Sequence, residues 1–332
     1  MKELKLKSVE FRREREASWR ELEDLLRLVD RRGLRRLGFR DLMRLPILYR
    51  STLSSLSVAR AISLDRNLLQ YLEGLTARAY VSVYGVRRRL GEAFALFLAR
   101  RFPREVRAHG RLLALAAVIF LLGGAAGFVT TLRNPDDFYR MVPEVRAQGR
   151  GPTSTREELR AILFDEEDHP LSGLGTFASF LFTNNAQIGI LCFSLGIALG
   201  VPVFYLLFHN GQALGAMAAI HHQKNLSVEF LGWILPHGIT EILAVLICGA
   251  AGLLLARSLI LPGRGTRLHE LAAAGRRAGL MVLGSVCLFL LAAAIEGFMR
   301  QLVHDTTIRY MTAGTTLLML LAYFRFAGGR AE

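Results

Sequence analysis

From Leu112 onward the chain is a succession of apolar runs, several of them about twenty residues long, which is the length a helix needs to cross a hydrocarbon core of roughly 30 Å. Lipid offers backbone N–H and C=O groups no partner, so each run must satisfy its own by coiling. The expected fold class is therefore all-α, a polytopic helical membrane protein. Spans are expected over 112–132, 188–208, 236–257, 279–298 and 312–326. The stretch 210–235, apolar but interrupted at His221 to Asn225, is read as a short or broken crossing. That makes about six crossings; a re-entrant 210–235 segment would leave five.

Residues 1–108 differ in character. From Val9 to Arg32 the residues Phe11, Trp19, Leu22, Leu25, Leu26 and Val29 recur every three or four positions between charges, and Gly33 follows as a C-cap. Further helices are expected over 39–62, with Pro46 kinking or starting it, then from 64 to Gly85 and over 88–101. The sequence thus divides into a basic helical head at 1–108 and a transmembrane domain at 109–332. Lys and Arg number 42 against 28 acids, a net charge of +14. The arginines alternate with glutamates and leucines beside membrane spans, so topology explains them better than nucleic acid does, and no nucleic-acid partner is expected.

The positive-inside rule places the head and the basic 257–277 loop in the cytoplasm, with both termini inside a multi-pass plasma-membrane protein. The segment over about 133–172 is expected outside; between 133 and 170 it holds nine acidic residues against six arginines. A short helix is expected there over 153–164, capped by Thr153 or Ser154. Gly149-Arg150-Gly151 is read as a plain loop. No cleavable signal peptide is seen near Met1, so the first span is expected to act as its own insertion signal. Cys192, Cys248 and Cys287 stand at no ligand-like spacing and are read as packing thiols.

Ionisable groups inside spans cost roughly 2.5–3.5 kcal/mol each at mid-membrane and face a bundle interior or a cavity. His237 and Glu241 share a helix face at i, i+4, and Pro236 suits a helix start. Counting along the spans puts Glu296, Asn184 and Asn185 at the same height, near the outer leaflet, with Asn210 and His209 as secondary members. Three uses of this layer stay open: hydrogen-bonding that fixes a polar bundle, a proton or cation relay, and metal chemistry. No second histidine in the layer and no zinc-hydrolase spacing is seen, so no cofactor is expected, while a divalent metal at His237, Glu241 and Glu296 remains open. Small residues at i, i+4 (Gly123 and Gly127, Gly196 and Gly200, Gly211 and Gly215) suit close helix packing. No nucleophile elbow, P-loop or dinucleotide fingerprint occurs.

Phe11-Arg-Arg-Glu-Arg-Glu-Ala-Ser-Trp19, Leu45-Pro46-x-x-Tyr49-Arg50, Phe182-x-Asn184-Asn185, Asn210-Gly211-x-x-Leu214-Gly215 and Leu235-Pro236-His237-Gly238-x-x-Glu241 follow one another in an order that resembles the stage II sporulation protein M family of integral membrane proteins. The resemblance spans nearly the whole chain. It implies a non-enzymatic membrane scaffold or adaptor that organises cell-envelope remodelling factors. It also implies protein partners on both sides of the membrane, wall hydrolases or a MoxR-type ATPase system, besides membrane lipid. Self-association through the small-residue faces is also expected. The rival readings are a proton- or cation-coupled transporter or channel using His237, Glu241 and Glu296, and an intramembrane metallohydrolase.

Overall fold

The computed structural model describes residues 2–61, 66–84, 90–147, 149–164, 186–263 and 265–329. The described residues are mostly helical, with no strand among them. The chain divides into two compact units, Met1–Leu90 and Gly91–Glu332.

Three helices build the first unit: α1 (Lys2–Arg32), α2 (Phe39–Ala61) and α3 (Arg66–Tyr84). The three-and-four spacing read in the sequence becomes the buried stripe of α1. Trp19, Leu22, Leu26 and Val29 are all essentially inaccessible and pack with Leu45 and Leu56 of α2 and Leu72 and Leu75 of α3. Gly33 ends α1 with φ at 76° and its N–H bonded 2.8 Å from the Val29 carbonyl, a left-handed position that glycine takes without strain. Pro46 lies within α2 rather than at its start. Opposite charges on the solvent side pair along and between helices, Glu16 with Arg12 and Arg20, Arg44 with Glu21. The two arginines beside Glu16 hold its carboxyl below the usual range.

In the second unit come α4 (Leu90–Leu96), a π-helical turn at Phe97–Arg101, and α5 (Phe102–Ala108). The contact boundary falls at Leu90, and α5 packs with the later helices of this unit. Phe102 is buried against Phe324 and Tyr323, and its ring occupies the space beside Gly284. Arg107 donates to the carbonyls of Phe324, Ala327 and Gly328 and so covers the free C-terminal acceptors of the last helix.

Among the described residues four helices are long and apolar enough to cross a membrane: α6 (Gly110–Arg133), α11 (Val201–Gln223), α12 (Ser227–Ile260) and α13 (Arg267–Leu302). Between α6 and α11 lie α7 (Phe138–Met141), α8 (Glu144–Ala147), α9 (Arg156–Phe164) and α10 (186–194). The chain closes with α14 (Thr306–Phe326).

Two boundaries differ from the hydropathy reading. The run 188–208 is not one span: α10 gives way to a 3-10 turn at Leu195–Ile197, and Leu199 and Gly200 take φ of 55° and 78°, reversing the chain before α11. Conversely, 210–235 is not a broken crossing. His209, Asn210 and Gly211 are internal to α11, which continues to Gln223, and α12 starts at Ser227 after only three intervening residues. Pro236 therefore sits inside α12, not at its start. Its ring removes the bond that the Gly232 carbonyl would accept, a loss that buried membrane helices tolerate where neighbours re-satisfy the backbone. Set beside the expectation of about six crossings, the described residues hold four helices of adequate length, a shorter apolar piece at Ala186–Ile197, and α14.

The segment after α6 is folded. Phe138, Met141, Val142, Ala147 and Leu159 pack on Ala216, Ile220 and Leu226 at the end of α11. The cap of α9 is Thr155, not Thr153 or Ser154. Its hydroxyl accepts from the Glu158 N–H at 3.2 Å and its own N–H donates to the Glu158 carboxylate at 2.9 Å, a reciprocal capping box. Ser154 instead donates to the Gly149 carbonyl and accepts from the Gly151 N–H, closing the turn that presents Arg150.

At the start of α14 the Asp305 carboxylate accepts from the Thr307 and Ile308 N–H groups at 2.7 and 3.1 Å, and these bonds to the charged form hold its pKa below the ordinary aspartate value. A depressed folded pKa contributes stability that is present above the unfolded value and is lost as pH falls through the folded one. Asp305→Ala is expected to lower the thermal midpoint at neutral pH. Asp305→Asn, also a good cap, should keep most of it but lose the acid-side dependence, which thermal scans between neutral and acid pH would resolve.

Candidate functional site

Several buried polar groups of the second unit line one cavity of about 250 Å³. Its walls come from α6 (Phe120), α10 (Ile188), α11 (Asn210, Leu214 and Met217), α12 (Trp233 to Val245) and α13 (Glu296), with Arg150 from the segment between α6 and α9. At 1.5 Å per residue His237 stands roughly 15 Å and Glu241 roughly 21 Å along α12, so neither lies in the first two turns of its helix.

Helix periodicity stacks Trp233, His237 and Glu241 on one face of α12, each four residues from the next. The Trp233 and His237 rings meet edge to face with centroids 5.8 Å apart, which fixes the imidazole plane. From α13 Glu296 approaches the same face; its Oε1 lies 3.8 Å from His237 Nε2, a separation longer than a hydrogen bond. His237 and Glu296 are both buried, at 4% exposure each, while Glu241 is intermediate. One ligand atom from each of His237, Glu241 and Glu296 can be chosen so that all three lie within 4.8 Å of one another.

Arg150 is the member that sequence reasoning missed. It is 6% exposed, donates from Nε to the Ala147 carbonyl at 3.0 Å, and holds its guanidinium 5.5 Å from the centre of the Trp233 ring. Gly149, with φ at 77°, and the Gly151 backbone, close against the Tyr139 hydroxyl, shape the turn that delivers it. The flanking glycines were the available signal. Trp233 was missed as well, although its spacing of four from His237 could have found it.

Of the expected site residues, the structure brings together His237, Glu241, Glu296 and Asn210. Asn210 lines the cavity while its amide nitrogen donates to the Leu206 carbonyl at 2.7 Å. His209 is not among the lining residues; its ring stacks flat on Tyr205 at 5.6 Å. Asn184 and Asn185 lie outside the described residues.

The small residues form the frame that sets these distances. α6 and α11 share the most extensive helix contact in the described structure. Gly123 and Gly127 meet the backbone carbonyls of Phe208 and Gln212, and Gly211 and Gly215 meet those of Phe120 and Gly124. A Cβ at any of the four would overlap a carbonyl oxygen, so backbones approach closely here because side chains are missing on both sides. Gly196 packs in the same way on Gly252 of α12, and Gly200 on the Ala256 methyl.

A second, much larger crevice of about 1180 Å³ lies between α6 and α11 on one side and α12 and α14 on the other; it is walled almost entirely by Leu, Ile, Val, Phe, Ala and Gly and shares Phe120, Leu214, Ile234, Gly238 and Ile242 with the polar cavity.

Comparison with known proteins gives two family matches. Residues 116–300 match the family described as Stage II sporulation protein M. That range includes every residue named above as lining the polar cavity. Residues 9–85 match a domain of unknown function, DUF8413, which coincides with the helical head. No curated protein and no solved structure matches the chain.

Proposed function

The chain belongs to the stage II sporulation protein M family, and from that membership we propose that it is a non-enzymatic adaptor of the plasma membrane, multi-pass with both termini in the cytoplasm, whose head recruits a soluble protein partner. One observation carries this reading. The head buries a complete core of its own, yet on α2 it leaves Phe39, Met43 and Ile47 exposed at 78%, 58% and 64%. These three are spaced i, i+4, i+8 and form one stripe on a helix face. Contiguous apolar surface on a soluble helical unit marks an interaction site.

The partner classes implied by the family resemblance are wall hydrolases outside the membrane and a MoxR-type ATPase inside it; the head stripe fits the cytoplasmic one.

The test is recovery of a named partner with the full chain purified from its native membranes. An AAA-type ATPase or wall hydrolase enriched with the wild type, and lost at least about tenfold in a Met43→Asp/Ile47→Asp variant of unchanged thermal midpoint, is the expected result. Recovery equal in both, or no such protein with either, would sink the adaptor reading.

A further inference from the structure

We propose that His237, Glu241 and Glu296 form a binding site for one divalent transition-metal ion. The inference does not rest on the adaptor reading, since a bound ion could as well brace a scaffold as activate a substrate.

Geometry is the first argument. Zinc or a similar ion takes imidazole nitrogen and carboxylate oxygen at about 2.0–2.2 Å, so ligand atoms around it stand about 3.3–3.5 Å apart. Three such atoms already lie within 4.8 Å of one another, and the His237 to Glu296 pair stands at 3.8 Å. Set against that ligand spacing, the three atoms stand at most about 1.4 Å too far apart (4.8 less 3.4). His237 and Glu241 cannot drift apart, because they are i, i+4 on α12, and α13 is packed against α12 along its length.

Charge is the second. Two carboxylates beside one imidazole give a donor set whose negative charge a dication offsets. Arg150 supplies one positive charge at the wall, its guanidinium 5.5 Å from the centre of the Trp233 ring. A dication with one bound hydroxide, together with that guanidinium and the two carboxylates, sums to zero, which suits a site at membrane depth.

Room is the third. Three protein ligands leave at least one position of a tetrahedral ion open, and the cavity of about 250 Å³ accommodates an ion with water, a water molecule taking about 30 Å³. The amide oxygen of Asn210 is available at the same wall. The ligand set of one nitrogen and two oxygens without sulfur suits zinc, manganese or ferrous iron over copper(I).

The experiment is zinc binding to the chelator-stripped, detergent-purified full chain by equilibrium dialysis, with cobalt(II) spectra of the same protein. One zinc per chain is expected. Loss of a ligand in His237→Ala or Glu296→Gln should weaken binding by more than the roughly 10–100-fold that removal of a supporting, non-ligating partner costs. His209→Ala and His222→Ala should bind as the wild type does, and the cobalt spectrum should show a nitrogen- and oxygen-ligated ion without thiolate bands. Should a ligand variant fail to fold, Glu241→Asp, which withdraws the carboxylate by one methylene, must still weaken binding. Absence of stoichiometric zinc in the wild type, undiminished binding in folded Glu296→Gln or Glu241→Asp, or thiolate bands from Cys192 or Cys248 would overturn the proposal.

Discussion

Gly215→Leu is expected to abolish the folded membrane unit, and Gly127→Leu to do the same from the opposite helix. A Cβ at Gly215 would overlap the Gly124 carbonyl, and one at Gly127 the Gln212 carbonyl, so even alanine must push α6 and α11 apart. Overpacking of a well-packed interior costs about 1–3 kcal/mol for small insertions, and these sites meet backbone atoms that cannot rotate away. Alanine should therefore lower stability by about that amount, and leucine by more than the unit can absorb. Gly314 is the control. It lies in α14 with nothing within 4 Å of an added Cβ, and Gly314→Ala should be neutral or gain up to about 1 kcal/mol from better helix propensity. Thermal unfolding in detergent, with a cysteine cross-link between α6 and α11 as the proximity readout, checks both arms. Wild-type stability in Gly215→Leu would mean that the two helices do not meet through this seam.

The small-residue pairs were legible before the structure because close packing in lipid has a local signature, two small residues four apart. The pairing of partners was not legible. That 123 and 127 meet 208 and 212 is a tertiary fact, and nothing in either motif names the other. Hydropathy identified the apolar mass but misplaced its breaks, for two reasons. The left-handed turn at Leu199 and Gly200 lies between apolar residues, so a hydropathy profile passes over it. Pro236 signals a helix start in water but is carried inside a buried membrane helix. The convergence of His237, Glu241 and Glu296 survived that error. It depended on relative height across antiparallel spans, which shifts little when a helix gains turns at one end. Arg150 escaped because it stands in a polar segment beyond the spans, where an arginine among acids looks like any solvated charge. Its burial is set by a turn whose hydrogen bonds run between Ser154, Gly149 and Gly151.

That segment is tied at a second point, and cutting this tie should have the other large effect. Arg309, on the first turn of α14, is 2% exposed. Its Nε donates to the Val303 carbonyl at 2.9 Å, its Nη1 donates to the Leu163 carbonyl at 3.1 Å, and its guanidinium lies 5.2 Å from the centre of the Phe164 ring. A hydrogen bond from a charged donor is worth about 1.5–3 kcal/mol, and deleting the donor also strands its buried acceptors. Arg309→Met should therefore lose roughly 3 kcal/mol or more. Arg309→Lys should lose an intermediate amount, since a point charge cannot serve two carbonyls and stack on a ring at once. The loss should be local before it is global. Amides of α9 should exchange faster in Arg309→Met while those of α6 keep wild-type protection, because the arginine fastens the C-terminal end of α9 and not the α6–α11 seam. Such a pattern bears on the polar cavity directly: Arg150 on its wall and Leu163 at the Arg309 tie belong to the same segment. Freeing one end should loosen the other, so zinc affinity in Arg309→Met would report whether that segment closes the cavity or only lies beside it.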